Sequence, residues 1–187
     1  MRLVTTLFLL ILTVTACTNV RVGQHVAASD YAGSPKRIFI VNRMDASFSE
    51  SLPGEFAAAA EQMFANCNVA VLVYRPEAME LNAEAKVKAA ILNFRPDSTL
   101  TIQQTLQLRT NGDVNRGEYL VTLHDLPLHR DVWRGAISAS ATSYAVAGGF
   151  LADRSKVGGI VADQLIRTMA GDNIIKTCPP FPPERGS

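Results

Sequence analysis

The side chains that could do chemistry are few, and they fall into three sets. Cys17, Cys67 and Cys178 are the thiols. A thiolate can accept an acyl group, bind a metal or pair into a disulfide, depending on its surroundings. His124-Asp125 and His129-x-Asp131 form the one His/acid cluster, but they bracket the turn Leu126-Pro127-Leu128. Metal ligation needs convergent ligands, usually fixed by a regular element, so loop polar residues are the simpler reading and no metal is expected. Ser138, Ser140 and Ser143 lie along a single segment without a G-x-S-x-G elbow around any of them. With only His25, His124 and His129 to serve as bases, a Ser-His-Asp triad is not expected, nor is catalysis. Asn42-Arg43-Met44-Asp45-Ala46-Ser47 lacks the glycines of a dinucleotide fingerprint, and no G-x-x-x-x-G-K-[ST] pattern exists. Neither a cofactor nor a nucleotide is expected.

The elements around Cys17 give it a specific role. Arg2 is a short positive region, and Leu3 to Val14 is an apolar run containing Leu7-Phe8-Leu9-Leu10-Ile11-Leu12. The run is shorter than the roughly 20 residues that span a bilayer, and Thr18, Asn19 and Arg21 follow it, which suits a removable secretory signal. Val14-Thr15-Ala16-Cys17 resembles the lipobox of bacterial lipoproteins. That resemblance implies cleavage before Cys17 and acylation of it, so that the lipid holds the chain on a membrane; the alternative is an ordinary secretory signal that contains a cysteine. Each buried CH₂ contributes about 0.8 kcal/mol, so several acyl chains anchor a soluble domain durably. Thr18 stands where an aspartate would resemble an inner-membrane retention signal, which favours the outer membrane and a periplasmic domain.

Removing residues 1–16 from the 187 leaves 171, enough for one domain with a substantial core. Arg2 is the only charge lost, so 17 Lys+Arg face 17 Asp+Glu. A neutral chain without a basic run does not suit a nucleic-acid partner. Cys67 and Cys178 then form an even pair in a disulfide-permissive compartment, near the ends of two expected helices. They are read as a bridge, against two unrelated buried thiols.

The positioning elements follow from hydrophobic period. Residues 17–36 mix Gly23, Gly33, Ser34 and Pro35 without period and read as the lipidated cysteine plus a flexible tether. The domain is expected over 37–176. Arg37 to Met44 and Asn68 to Tyr74 read as buried strands, joined by a helix that Ser49 or Ser51 could cap. Ala83 to Phe94 is a second helix, stopped by Pro96. Thr99 to Arg109 alternates Leu100, Ile102, Gln104, Leu106, Leu108 with Thr and Gln, and returns through Glu118 to Asp125 and Asp131 to Ser143 as an antiparallel meander. A last helix runs near Ser155 to Ala170, with Gly158-Gly159 allowing close approach to the sheet and Gly171 ending it. Residues 177–187 are a Pro-rich tail. The expected fold is α/β (α+β), a mixed sheet of about five strands in the order βαβαβββα, with helices mainly on one face.

Two places could meet a partner. Trp133 beside Arg134 could be a recognition pair, or a core tryptophan with a snorkelling arginine. Tyr144 to Leu151, with Tyr144 and Phe150, could touch a membrane or a neighbouring subunit, or could be a buried connection.

The lipobox, a strand and helix pair without phosphate-binding glycines, the polar hairpin and Val132-Trp133-Arg134-Gly135 before a C-terminal helix together resemble a group of small envelope lipoproteins. These include the Pel polysaccharide-export lipoproteins and the nucleotide-free domain of the curli-secretion lipoprotein. The resemblance covers about Arg37 to Ala170, rests on element order, and implies an accessory role in envelope assembly or export, often as an oligomer, with no catalytic residues. The other readings are a carrier or sensor of a small hydrophobic or glycan ligand, which needs a deep apolar pocket, and an envelope hydrolase built on His124 or His129.

Overall fold

The computed structural model describes residues 18–45, 49–76, 81–110, 113–141, 144–146, 149–151 and 156–181, with the backbone alone for 18, 110, 113–115, 141, 144–146 and 149–151. Cys17, the segment before it and residues 182–187 lie outside the described residues. The elements are β1 (Thr18–Ala27), β2 (Arg37–Arg43), α1 (Leu52–Asn66), β3 (Ala70–Tyr74), α2 (Ala83–Phe94), β4 (Ser98–Thr110), β5 (Asp113–Asp125), β6 (Arg130–Ala141), β7 (Tyr144–Val146), β8 (Gly149–Leu151) and α3 (Val157–Gly171). Six strands form one sheet in the order β1-β6-β5-β4-β2-β3, and β7 and β8 form a separate hairpin. The expected βαβαβββα order is present between β2 and α3. The sheet has one strand more than the five expected.

The additional strand is β1, which occupies residues expected as a flexible tether. It pairs antiparallel with β6 from Thr18↔Ala141 to Ala27↔Trp133, with a bulge between Val22 and His25. Being at the edge and bulged, it buries little and loses its two-residue period, so its sequence carries no strand pattern. Ala28 and Tyr31 continue the tie through a backbone bond from Ala28 to Val132 and a hydrogen bond from Tyr31 to Asp125 Oδ2 at 3.0 Å.

β2 lies between parallel neighbours β3 and β4. Its apolar run is explained by burial on both faces, since Ile38, Phe39 and Ile40 are all 0% exposed. β3 was expected to be buried like β2, but it is the outer edge, and Leu72 is 36% exposed. From β2 the chain passes through α1 to β3 on one side, then back through α2 to β4 on the other. A right-handed crossover in each direction places α1 and α2 on opposite faces of the sheet. Two of the three helices, α1 and α3, therefore share a face with the main core. Phe39 points away from that core yet is fully buried, on the side crossed by α2.

The core face carries Ile38, Ile40, Leu100, Ile102, Tyr119, Val121, Leu123, Trp133 and Ile137 against Phe56, Phe64, Val161, Leu165 and Met169. α3 reaches α1 at Gly158, where a Cβ would stand 2.4 Å from Leu52 O and 2.5 Å from Phe56 N. The glycine pair thus permits close approach to a helix rather than to the sheet. Helix ends differ from expectation in detail. Ser51 sits at the N-cap of α1 without a capping side-chain bond, its hydroxyl pairing with Ser49 at 3.1 Å. α3 runs through Gly171, and the left-handed residue that turns the chain is Asn173 (φ 58°).

The C-terminal segment is fastened. Ile174 and Ile175 are buried, Cys178 is disulfide-bonded to Cys67, and the Phe181 ring lies 4.8 Å from the Arg167 guanidinium. The described part of the tail is therefore tied to the domain. Thr177 donates to Cys67 O beside the bridge. No helix among the described residues is long and apolar enough to cross a membrane.

Candidate functional site: the open face of the sheet

Away from α1 and α3, strands β4, β5, β6 and β1 present the other half of their alternating residues. Register places Thr99 opposite His124, Thr101 opposite Thr122, and Gln103 opposite Leu120. Across β5 and β6, Thr122 faces Arg134, Leu120 faces Ala136 and Glu118 faces Ser138. β1 extends the face with Arg21 opposite Ser138 and Asn19 opposite Ser140. Gln103, Arg134, Ala136 and Arg21 are exposed, and none of the set is buried. The Thr/Gln alternation read in β4 thus becomes a broad polar surface four strands wide.

A charged cluster marks one end of it. His124 Nδ1 lies 3.0 Å from Asp131 Oδ1, and Arg134 Nη2 donates to Asp131 Oδ2 at 3.0 Å. The bond from His124, with help from Arg134, holds the Asp131 carboxyl below its ordinary value of 3.8. The pairing arises because a register shift after Leu123 sets His124 opposite Asp131. Of the expected His/acid cluster, His124 and Asp131 therefore meet. Asp125 turns to the core side, accepting from Leu128 N at 2.9 Å and from Tyr31, and His129 is an exposed turn residue with φ 50°. Among the described residues no group of three His, Cys, Asp or Glu could hold a metal ion.

Trp133 and Arg134 separate, as neighbours on a strand must. Trp133 is 1% exposed and its indole N–H donates to Asp172 Oδ2 at 2.7 Å. Its ring lies over Gly135, where a Cβ would come within 2.4 Å of it. The ring belongs to the core and is not offered to a partner; Arg134 alone reaches the surface. Asp172, at the C-cap of α3, also meets His25 Nδ1 at 2.8 Å through the same oxygen. One carboxylate thereby joins β1, β6 and α3, a link that residue types at positions 25, 133 and 172 could not announce from sequence. Of Tyr144 and Phe150, the structure places the backbones in β7 and β8, in adjacent register positions of the hairpin.

A pocket of about 260 Å³ opens where Thr105, Arg116, Glu118, Leu120, Ala136 and Ser138 meet. Among the described residues, most side chains between α1, α3 and the sheet are at 0–1% exposure. Tyr119 has its hydroxyl buried without a partner among the described residues, and burial, with the Asp45 charge, pushes it up to about 12.

No family model matches the chain, and no curated protein matches it in sequence. Among solved structures it is similar to a PelC dodecamer from Paraburkholderia phytofirmans at a TM-score of 0.44 and 11% identity, covering 88% of this chain and 100% of that one. It is similar to a leucine-to-methionine variant of the same dodecamer at a TM-score of 0.44 and 11% identity, covering 86% of this chain and 99% of that one. At this distance the similarity brings no residue role and no partner to this chain.

Proposed function

We propose that the chain is a lipid-anchored protein of the bacterial envelope, without catalytic activity, whose domain binds another envelope component or further copies of itself through the open face of its sheet. The observation that carries the reading is that face. β4, β5, β6 and β1 expose a four-strand polar surface, centred on Thr101, Gln103, Thr122, His124, Arg134 and Ser138, on the side of the sheet away from α1 and α3. A sheet face of that breadth with mixed polar groups suits a protein partner better than a substrate, which would require a concave site. The Cys17 lipobox supports the anchor.

The strand β1 gives the anchor a geometric consequence. It starts at Thr18, so acyl chains on Cys17 would hold the domain directly against the bilayer, with no leash of 20 residues. Thr18 pairs with Ala141, the last residue of β6, and β7 begins at Tyr144. Tyr144 and Phe150 would therefore emerge at the membrane end of the domain, while the polar face stands upright beside it. The outer membrane is the proposed site.

The test of the anchor is the mass of the protein extracted from bacterial membranes. A chain beginning at Cys17 and carrying acyl groups is expected, together with loss from the membrane fraction in Cys17→Ser. An unmodified N-terminus would sink the proposal.

A further inference from the structure

A different place in the fold combines an open crevice with uncommitted arginines. Where the parallel strands β2 and β3 end, a crevice of about 1080 Å³ opens between Arg43, Met44, Arg75, Pro76 and the N-terminal part of α2 at Glu84 and Val87. The topology explains the opening. The connections from β2 and β3 leave toward opposite faces of the sheet, and in open α/β sheets such a reversal parts the loops beyond the carboxyl ends of the strands.

The crevice holds two arginines whose guanidinium groups are uncommitted, whereas most of the described arginines elsewhere are paired. Arg21, Arg37, Arg116, Arg130, Arg134 and Arg167 each engage an oxygen of this chain. Arg43 and Arg75 engage none among the described residues, and both line the crevice. Arg95, at the other end of the sheet, is likewise unengaged. Glu84 lines the crevice too, and among the described residues no ion pair joins it to either arginine. Asn42 is already committed, its Oδ1 accepting from Met44 N at 3.0 Å and its Nδ2 donating to Pro53 O at 3.4 Å. Asn82, at the N-cap of α2, makes no side-chain cap bond, which leaves first-turn N–H groups beside the same space. Guanidinium forks that share one crevice select planar or tetrahedral oxyanions, each of which a fork can bind in bidentate fashion.

We propose that this crevice binds a small organic oxyanion, a carboxylate or a phosphate ester with a compact apolar body. Arg43 and Arg75 take the oxyanion, and Met44, Pro76 and Val87 pack against the body. The proposal is independent of the anchor at Cys17 and of the open sheet face, which lies over other strands.

The test is calorimetric titration of the detergent-solubilised full chain with glucuronate, with glycerol 3-phosphate and with a water-soluble, short-chain phosphatidylglycerol. Saturable binding is expected, weakened at least tenfold by Arg43→Gln and by Arg75→Gln and lost in the double variant, with Arg95→Gln unchanged. The two arginines are exposed, so unfolding temperatures equal to the parent protein should confirm that the variants fold. Binding of the free anions assigns a soluble ligand; binding of the short-chain phosphatidylglycerol alone, with the same arginine dependence, assigns a lipid headgroup. Absence of saturable binding to all three probes, or binding that survives the double substitution, overturns the proposal.

Discussion

Opening the Cys67–Cys178 bridge should remove a large share of the stability of the domain. The two cysteines are 111 residues apart in sequence, so the bridge closes most of the fold, from the end of α1 to the segment after α3. In the chain-entropy description, a loop of that length costs the unfolded chain about 16 cal/mol/K, or about 5 kcal/mol at 298 K. That is comparable to the whole stability of many domains, about 5–15 kcal/mol. The bridge also fastens the C-terminal segment, where Ile174 and Ile175 are buried against the core. Urea unfolding of the oxidised protein, the reduced protein and Cys67→Ala/Cys178→Ala would measure the loss; the reduced protein separates the bridge from the small cavity left by Cys67. A loss of about 3–5 kcal/mol is expected in both. A loss under about 1 kcal/mol would refute the reasoning, because it would mean that the unfolded chain is not constrained by the bridge or that the native bridge costs as much as it contributes.

Gly158→Ala would drive a Cβ to 2.4 Å from Leu52 O; because the obstacle is backbone, the expected loss is about 1–3 kcal/mol in thermal or urea unfolding, whereas Gly171→Ala, with open space around it, should cost less. Trp133→Phe removes the donor to Asp172 at 2.7 Å, and about 1–3 kcal/mol should be lost, with less loss if Asp172 is already Asn. Burial raises the Tyr119 phenol to about 12 from an ordinary 10.0; because the neutral form is favoured in the fold, its contribution is intact below pH 10 and is lost as pH rises toward 12. Unfolding measured at increasing pH should show up to about 3 kcal/mol of loss, and Tyr119→Phe should remove that part of the dependence.

How far the sequence could be read depended on how much of each signal is local. Ile38-Phe39-Ile40 announces a strand buried on both faces, and Ala83 to Phe94, closed by Pro96, matches α2 to the residue. The alternation of Leu100 and Ile102 with Thr99, Thr101 and Gln103 correctly foretold a polar face. β1 was illegible because an edge strand needs only Val20, Val22 and Ala27 against the core, and the bulge after Val22 breaks the period that would reveal it. β3 misled in the opposite direction: NVAVLVY reads as buried, yet the strand order leaves one of its edges free. The meeting of His25, Trp133 and Asp172 is tertiary, with separations of 147 and 39 residues. That Arg43 and Arg75 line one crevice follows from the crossover of β2 and β3, which the element order implied, but nothing in either arginine's neighbours marked it. His124 and Asp131 were seen as a cluster, while the register shift that pairs them was not.

Site-specific photo-crosslinking in intact bacteria tests the proposed role of the open face most directly. A crosslinker at Gln103 or Ala136, both exposed on that face, should trap an adduct in the membrane fraction, and one at the exposed Gln62 of α1 should not. Adducts of equal yield from all three positions, or none from Gln103 and Ala136, would contradict it.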